Sequence, residues 1–150
     1  MTRKQTRALI VCLVVALAFP ALAYALRRTY FGPAAGGLNN AGVEVSARLS
    51  HGAPVKITRF EWHNVLGSCG GAQRGATTGE FPSAITVKNG AFSATGHLNA
   101  GRETIKVSGT FKHSNQRMSG KLRVHGTVAG CSAIDTGTVG WHAKQPAGQK

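Results

Sequence analysis

Few residues in this chain could support acid–base catalysis. Among 150 residues there are only 5 Asp and Glu, together with 6 histidines. The tripeptide Asp135-Thr136-Gly137 matches the catalytic sequence of aspartic proteases, but such an enzyme needs two facing aspartates that share a proton. Because Asp135 is the one aspartate of the chain, an Asx turn at the start of a strand explains the tripeptide better.

The histidines show no spacing that is typical of a metal site. They lie at His51, His63, His97, His113, His125 and His142. No His-x-His or His-Glu-x-x-His occurs, so we predict neither a zinc site nor a cofactor. Glu61 and His63 share one face of a predicted strand, with Ser68 nearby, which could begin a nucleophile–base pair. A triad also needs an orienting acid and an oxyanion hole, and neither is evident. We therefore expect a structural Glu–His contact and predict no catalytic residue.

An export signal is predicted over residues 1–25. A short basic segment precedes an uninterrupted apolar run, Ala8–Phe19, and a proline and small residues follow it. Cleavage after Ala23 or Ala25 would satisfy the small-x-small rule of signal peptidase. The apolar stretch up to Leu26 is also just long enough to cross a bilayer, so an uncleaved membrane anchor remains the alternative.

Two cysteines follow the predicted signal, Cys69 and Cys131. In an exported chain, two thiols are best explained by one disulfide, and only one connectivity exists. The bond would close a loop of about 60 residues, which corresponds to a stabilisation of about 4 kcal/mol in the chain-entropy model.

The chain is strongly basic. It has 18 Lys and Arg against 5 Asp and Glu, a net charge of +13 at pH 7. Loss of the three basic residues of the predicted signal lowers the net charge only to about +10. This balance favours anionic partners, and export makes intracellular nucleic acid an improbable one. Anionic polymers or lipid head groups of the cell envelope are the expected partners.

Apolar and polar residues alternate through most of the chain after residue 42. In the second predicted strand, residues 54–64, the apolar set changes parity, which predicts a β-bulge near Thr58-Arg59. Asn89-Gly90 is a strong signal for a hairpin turn. About 7–8 short antiparallel strands are predicted, and these favour an all-β fold, either a β-sandwich or a small barrel.

The remaining segments show no such alternation. Residues 26–42 are rich in Arg, Gly, Ala and Asn and predict a flexible lead-in before a β domain over residues 43–144. A flexible tail is expected over residues 145–150. The glycine-rich residues 66–79 predict a long loop fixed at Cys69.

Glycines on the inward faces of three predicted strands suggest a hollow in the core. Keeping inward faces inward places Leu98 near Ile105, Phe111 near Met118 and Gly109 near Gly120. The residues that form the hollow are Gly96, Gly109 and Gly120, with Ala94. A large ring, Trp62 or Trp141, packing into the hollow is the preferred explanation, and a ligand pocket is the alternative.

The same register gathers cations on the outer face. Lys112 lies opposite Arg117, and Lys106 lies opposite Arg123, with Lys121 between these pairs and no carboxylate expected among them. Like charges directly opposite each other on a sheet are destabilising. We predict that these five residues bind polyanions; a face that is merely solvated is the alternative.

The C-terminal part of the chain carries a distinctive segment between a cysteine and a tryptophan. Residues 131–141 are Cys-Ser-Ala-Ile-Asp-Thr-Gly-Thr-Val-Gly-Trp, and Ser-Gly-Thr-Phe (108–111) and Ser-Gly-Lys-Leu (119–122) precede them. This pattern resembles uncharacterised small exported all-β proteins of high-GC Gram-positive bacteria. These proteins end in a Cys-Asp-Thr-Gly-x-Val-x-Trp-like strand and have an earlier Cys-x-Gly, here Cys69-Gly70-Gly71.

The resemblance covers roughly residues 43–144. It implies the all-β fold and implies no biochemical activity. Three residues separate Cys131 from Asp135, so the link between the cysteine and Asp-Thr-Gly is looser than in the family pattern.

Composition, predicted export and predicted fold together define the expected function. We expect a non-enzymatic β-domain protein, secreted or associated with the envelope, that binds anionic envelope polymers or lipid head groups. One alternative is a structural or partner-binding envelope protein whose charge serves only solubility. The other is an enzyme or small-ligand carrier that uses the glycine-lined interior, and a cavity lined by Glu61 and His63 would favour the enzyme.

Overall fold

The alternation of apolar and polar residues produces a chain built almost entirely of β-strands. The computed structural model describes residues 26–71 and 73–148, which contain ten strands and one short 3-10 turn, Asn99–Gly101. The strands are β1 (Arg27–Pro33), β2 (Gly42–Ser50), β3 (Ala53–Cys69), β4 (Arg74–Glu80), β5 (Ile85–Thr86), β6 (Ala91–Leu98), β7 (Glu103–Lys112), β8 (Arg117–Val128), β9 (Cys131–Asp135) and β10 (Val139–Lys144). The prediction of an antiparallel all-β fold is confirmed, with more strands than expected.

The predicted export signal or anchor at residues 1–25 lies outside the described residues. Within the residues that are described, no helix is both long enough and apolar enough to span a membrane.

All ten strands belong to one sheet, which closes on itself. Its order is β10, β1, β2, β3, β9, β8, β7, β6, and β4 and β5 pair with β3. Strand β7 pairs along one edge of β8. Strands β9 and β10 lie end to end along the other edge of β8. Strand β10 also pairs with β1, and β9 also pairs with β3. The circuit through β10, β1, β2, β3, β9 and β8 is therefore continuous, and the sheet curls around a single core.

Aromatic rings dominate the core. Tyr30, Phe60, Trp62 and Trp141 are all buried. The rings of Phe60 and Trp141 meet edge to face with their centroids 5.4 Å apart, a favourable arrangement for aromatic pairs. The disulfide between Cys69 and Cys131 is present as predicted, with Cα atoms 5.5 Å apart, and it joins the end of β3 to the start of β9.

The prediction of a flexible lead-in over residues 26–42 is wrong for Arg27–Pro33, which form β1. Every residue of this strand has a partner on β2, and Phe31 also pairs with Lys144 of β10. Alternation in β1 is weak because Tyr30 is its only fully buried side chain. The backbone ladder and one large buried ring therefore fix a strand that hydrophobic periodicity does not reveal.

The prediction of a long loop over residues 66–79 is also wrong, because β3 continues to Cys69 and β4 begins at Arg74. Two glycines within these strands, Gly67 and Gly79, serve close packing. A Cβ at Gly67 would lie 2.8 Å from the Asp135 carbonyl oxygen, and one at Gly79 would lie 2.6 Å from the Trp62 ring. The true turn is limited to the residues around Gly70 and Gly71, where φ is positive.

The predicted bulge is confirmed. Ser46 pairs with Arg59 and Ala47 pairs with Ile57, so Thr58 is the extra residue on β3. Asn89 and Gly90 both have positive φ, as a tight hairpin turn requires.

The β7–β8 register is confirmed, whereas the β6–β7 register is wrong by two residues. Leu98 lies opposite Glu103 rather than Ile105. The connection is tighter than expected because Asn99 and Ala100 adopt positive φ. Glu103 thereby takes an inward position, is 4% exposed and accepts a hydrogen bond of 3.0 Å from the Asn99 amide. Burial raises the pKa of the Glu103 carboxyl.

Three aromatic rings fill the glycine hollow. Gly109 and Gly120 lie opposite each other, and a Cβ on either would come within 3 Å of the Trp141 ring. Gly96 lies instead beneath Phe81, and Trp62 packs on Gly79. The space left by Gly109 and Gly120 is therefore filled by Trp141, with the Phe92 ring also packed on Gly109.

Candidate anion-binding surface

Cations cover the outer faces of β7, β8 and β10. The pairs Lys112–Arg117 and Lys106–Arg123 lie directly opposite each other, as the sequence predicts. Strand β10 adds Lys144 opposite Arg117. We call this group the basic strip; it comprises Lys106, Lys112, Arg117, Lys121, Arg123 and Lys144.

One carboxylate lies against the basic strip, so the prediction that no carboxylate lies among these cations is wrong. The Arg123 guanidinium donates two hydrogen bonds to the Asp135 carboxylate, of 3.1 and 2.6 Å. Asp135 Oδ1 also accepts the Gly137 backbone N–H at 2.8 Å, which is the predicted Asx turn. Together these bonds hold the pKa of Asp135 below its ordinary value. Arg123 is thus largely neutralised within the molecule.

A groove of about 510 Å³ lies at the other end of the basic strip, between β1, β8 and β10. Apolar or small residues in its lining are Phe31, Gly32, Pro33, Met118 and Ala143. Basic residues in its lining are Lys112, His113, Arg117, His142 and Lys144. No carboxylate lines this groove, so its cations are available to an anionic ligand.

Two shallower hollows lie towards the Arg123 end of the basic strip, with volumes of about 210 and 180 Å³. Lys106 and Arg123 line both, His125 lines the first and Lys121 lines the second. Because Arg123 is paired with Asp135, these hollows offer fewer free charges than the groove.

The largest described cavity, of about 690 Å³, lies beside the turn that follows Cys69. Glycines and polar residues line most of it, with Arg74 as its single cation. Asp135 also lines it, so the cavity does not favour an anion.

The outer faces of β2, β3 and β4 carry carboxylates instead. Glu44, Glu61 and Glu80 lie side by side across the three strands. Arg59 contacts all three, at 3.9 Å from Glu44, at 3.7 Å from Glu80 and in a short hydrogen bond to Glu61. His63 Nε2 lies 3.9 Å from Glu61.

The possible ligand atoms of Glu44, Glu61 and His63 lie within 4.8 Å of one another. A divalent cation could in principle bind such a set, but the Arg59 guanidinium already supplies positive charge there. Neither Glu61 nor His63 lines any of the four cavities described above. The arrangement fits a structural contact.

The sequence did not identify Lys144, His142 or Phe31 as part of the groove. Alternation along β10 places His142 and Lys144 on the outer face. Their neighbours depend on the pairing of β10 with β8 and β1, and nothing local in the sequence specifies that pairing.

Comparison with known proteins gives no match to a family model, to a curated protein or to a solved structure.

Proposed function

We propose that this protein is an exported, non-enzymatic β domain that binds anionic polymers or lipid head groups of the cell envelope through its basic strip. The groove between β1, β8 and β10 carries this proposal. It combines an apolar lining with Lys112, Arg117 and Lys144 and has no lining carboxylate.

The three cations of the groove are costly to hold together in the free protein. Lys112, Arg117 and Lys144 lie directly opposite one another on adjacent strands, where like charges are destabilising by a few tenths of a kcal/mol each. A bound phosphate or carboxylate converts this repulsion into attraction, and an arginine can form two parallel hydrogen bonds to such a group. The apolar lining suits the hydrocarbon or sugar that carries the anion.

The test is a triple variant, Lys112→Gln, Arg117→Gln and Lys144→Gln. Each cation near an anionic membrane surface contributes about 1 kcal/mol, so binding to phosphatidylglycerol vesicles should fall roughly a hundredfold. On heparin, the slope of log K against log salt should fall by about 2 to 3. Loss of vesicle binding alone would favour lipid head groups, and loss of both would favour anionic groups in general.

The chain offers a matched control in a second row of opposed cations. Arg27, Arg48 and Lys56 lie opposite one another on β1, β2 and β3. None of the three lines the groove or a shallower hollow. Changing these three to glutamine removes the same net charge and should leave most of the binding. Equal losses in the two triple variants would contradict the proposal and leave a basic protein attracted by net charge alone.

A further inference from the structure

The groove cations and the carboxylate cluster belong to one transverse row of outward side chains. Successive cross-strand partners connect β7 to β4 through seven strands. We call this the charged row; in order it comprises Lys112, Arg117, Lys144, Phe31, Glu44, Glu61 and Glu80.

The charged row has opposite signs at its two ends. Three cations lie on one side of Phe31 and three carboxylates on the other, although the whole chain has only 5 acidic residues. In the described part of the chain, the basic groups within 4 Å of these three carboxylates are Arg59 and His63, so the acidic end keeps a net negative charge. Phe31, at the centre, is 45% exposed, one of only three large hydrophobic residues so exposed in that part.

A row of this kind is complementary to itself. A two-fold axis that runs along β1 through Phe31, in the plane of contact, maps each end of the row onto the opposite end of a second copy. Glu44 then faces the partner's Lys144, Glu61 faces the partner's Arg117, and the two Phe31 rings meet on the axis. We infer that this face docks a second copy of the chain in a symmetric dimer.

The shape of the sheet limits the strength of this dimer. Adjacent strands are spaced by about 4.8 Å and the sheet curls, so two convex faces meet mainly at Lys144, Phe31 and Glu44. An interface formed mainly by these three residues of each copy buries little surface, as is typical of weak, transient complexes. Its charge pairs are exposed to solvent, so salt screens them. The expected dimer is therefore weak. Because each copy carries a net charge of +13, long-range repulsion opposes the dimer at low ionic strength, so we expect it at about 0.15 M salt, where that repulsion is screened.

A charge exchange between two variants tests this arrangement. The two-fold axis gives each dimer two equivalent contacts between positions 44 and 144. In Glu44→Lys, the new cation would face the partner's Lys144 at both contacts. In Lys144→Glu, the new carboxylate would face the partner's Glu44 at both contacts. Each variant alone should be monomeric. In a mixture of the two, both contacts become attractive pairs of opposite charge, so the mixture should dimerise again. Misfolding of either variant could not produce this recovery.

Sedimentation velocity on the full chain, in a non-ionic detergent because of its apolar N-terminal stretch, provides the measurement. The parent should shift from monomer towards dimer as its concentration rises to about 1 mM at about 0.15 M salt, and about 0.5 M salt, which screens the charge pairs as well, should weaken the shift. Phe31→Ser should weaken the dimer without changing its charge. A parent that stays monomeric, or a mixture that does not recover the dimer, would overturn the inference.

This inference goes beyond the proposed function and does not depend on it, although both use Lys144. Binding to phosphatidylglycerol vesicles separates the two. Lys144→Glu should weaken vesicle binding, and Glu44→Lys should not. Mixing the two variants should restore the dimer, but Lys144→Glu should still bind vesicles weakly. Failure of the dimer therefore leaves the vesicle result standing, and the reverse also holds.

Discussion

Substitution of Gly120 by alanine tests the packing of Trp141 against the sheet. Gly120 lies on the inward face of β8, and a Cβ there would lie 2.5 Å from Trp141 Cζ2 and would also collide with the carbonyl oxygen of Ser108. The ring is enclosed, and the carbonyl belongs to the neighbouring strand β7. Neither can move without disturbing the core or the β7–β8 ladder.

The expected loss of stability lies at the upper end of the range for overpacked cores, about 3 kcal/mol. For a domain of this size, 1 kcal/mol corresponds to roughly 4 °C, so the melting temperature should fall by about 12 °C. Gly140→Ala is the matched control, because Gly140 lies on the adjacent strand and has nothing within 4 Å of its Cβ position. Its effect should stay within about 0.5 kcal/mol.

Thermal melting followed by circular dichroism, together with urea unfolding, measures both variants against the parent. Equal melting temperatures for Gly120→Ala and Gly140→Ala would refute the packing argument. That result would mean that the space over Gly120 is open, and it would return the ligand-pocket explanation of the glycine hollow.

Three further predictions concern the disulfide and the two remaining acidic residues. The double variant Cys69→Ala, Cys131→Ala should lose about 4 kcal/mol of unfolding free energy, measured with urea, because only two residue pairs then join β3 to β9. An unchanged unfolding free energy would show that the disulfide does not stabilise the fold. Asp135→Asn keeps an oxygen for the Asx turn but removes the negative charge that neutralises Arg123. The variant should therefore elute from heparin at higher salt than the parent. Elution of both at the same salt would show that Arg123 is already free in the parent. Because burial raises the pKa of Glu103, ionisation destabilises the folded state as pH rises above the unfolded pKa. Glu103→Gln should therefore melt higher than the parent at pH 7 and like the parent at about pH 3; an equal difference at both pH values would exclude this cause.

The all-β fold was predictable because most strands have one buried and one exposed face. In β7, for example, Ile105, Val107 and Phe111 are buried while Lys106 and Lys112 are exposed. The prediction of a loop over residues 66–79 failed because of its glycines. A glycine required for close approach, as at Gly67, has the same sequence signature as a glycine in a turn, and only tertiary packing distinguishes them.

Half of the candidate site was predictable for a similar reason. A short hairpin fixes which residues of β7 and β8 face each other, so Lys112 and Arg117 could be paired from the sequence. Lys144 and Phe31 could not be placed beside them, because β10 meets β8 and β1 through long-range pairing. The Asp135 ion pair was missed because β9 lies beside β8 only after that pairing is made.

The pairing of β1 with β10 has a consequence for when this protein folds. Phe31 lies opposite Lys144, so the sheet is closed by segments that are far apart in the sequence. Contacts so distant in sequence form late, since a long loop must be ordered before they stabilise anything. During synthesis the sheet cannot close until residue 144 has left the ribosome, and before that the free edges of β1 and β8 are exposed to other chains. Closure of the sheet therefore follows the release of β10 from the ribosome.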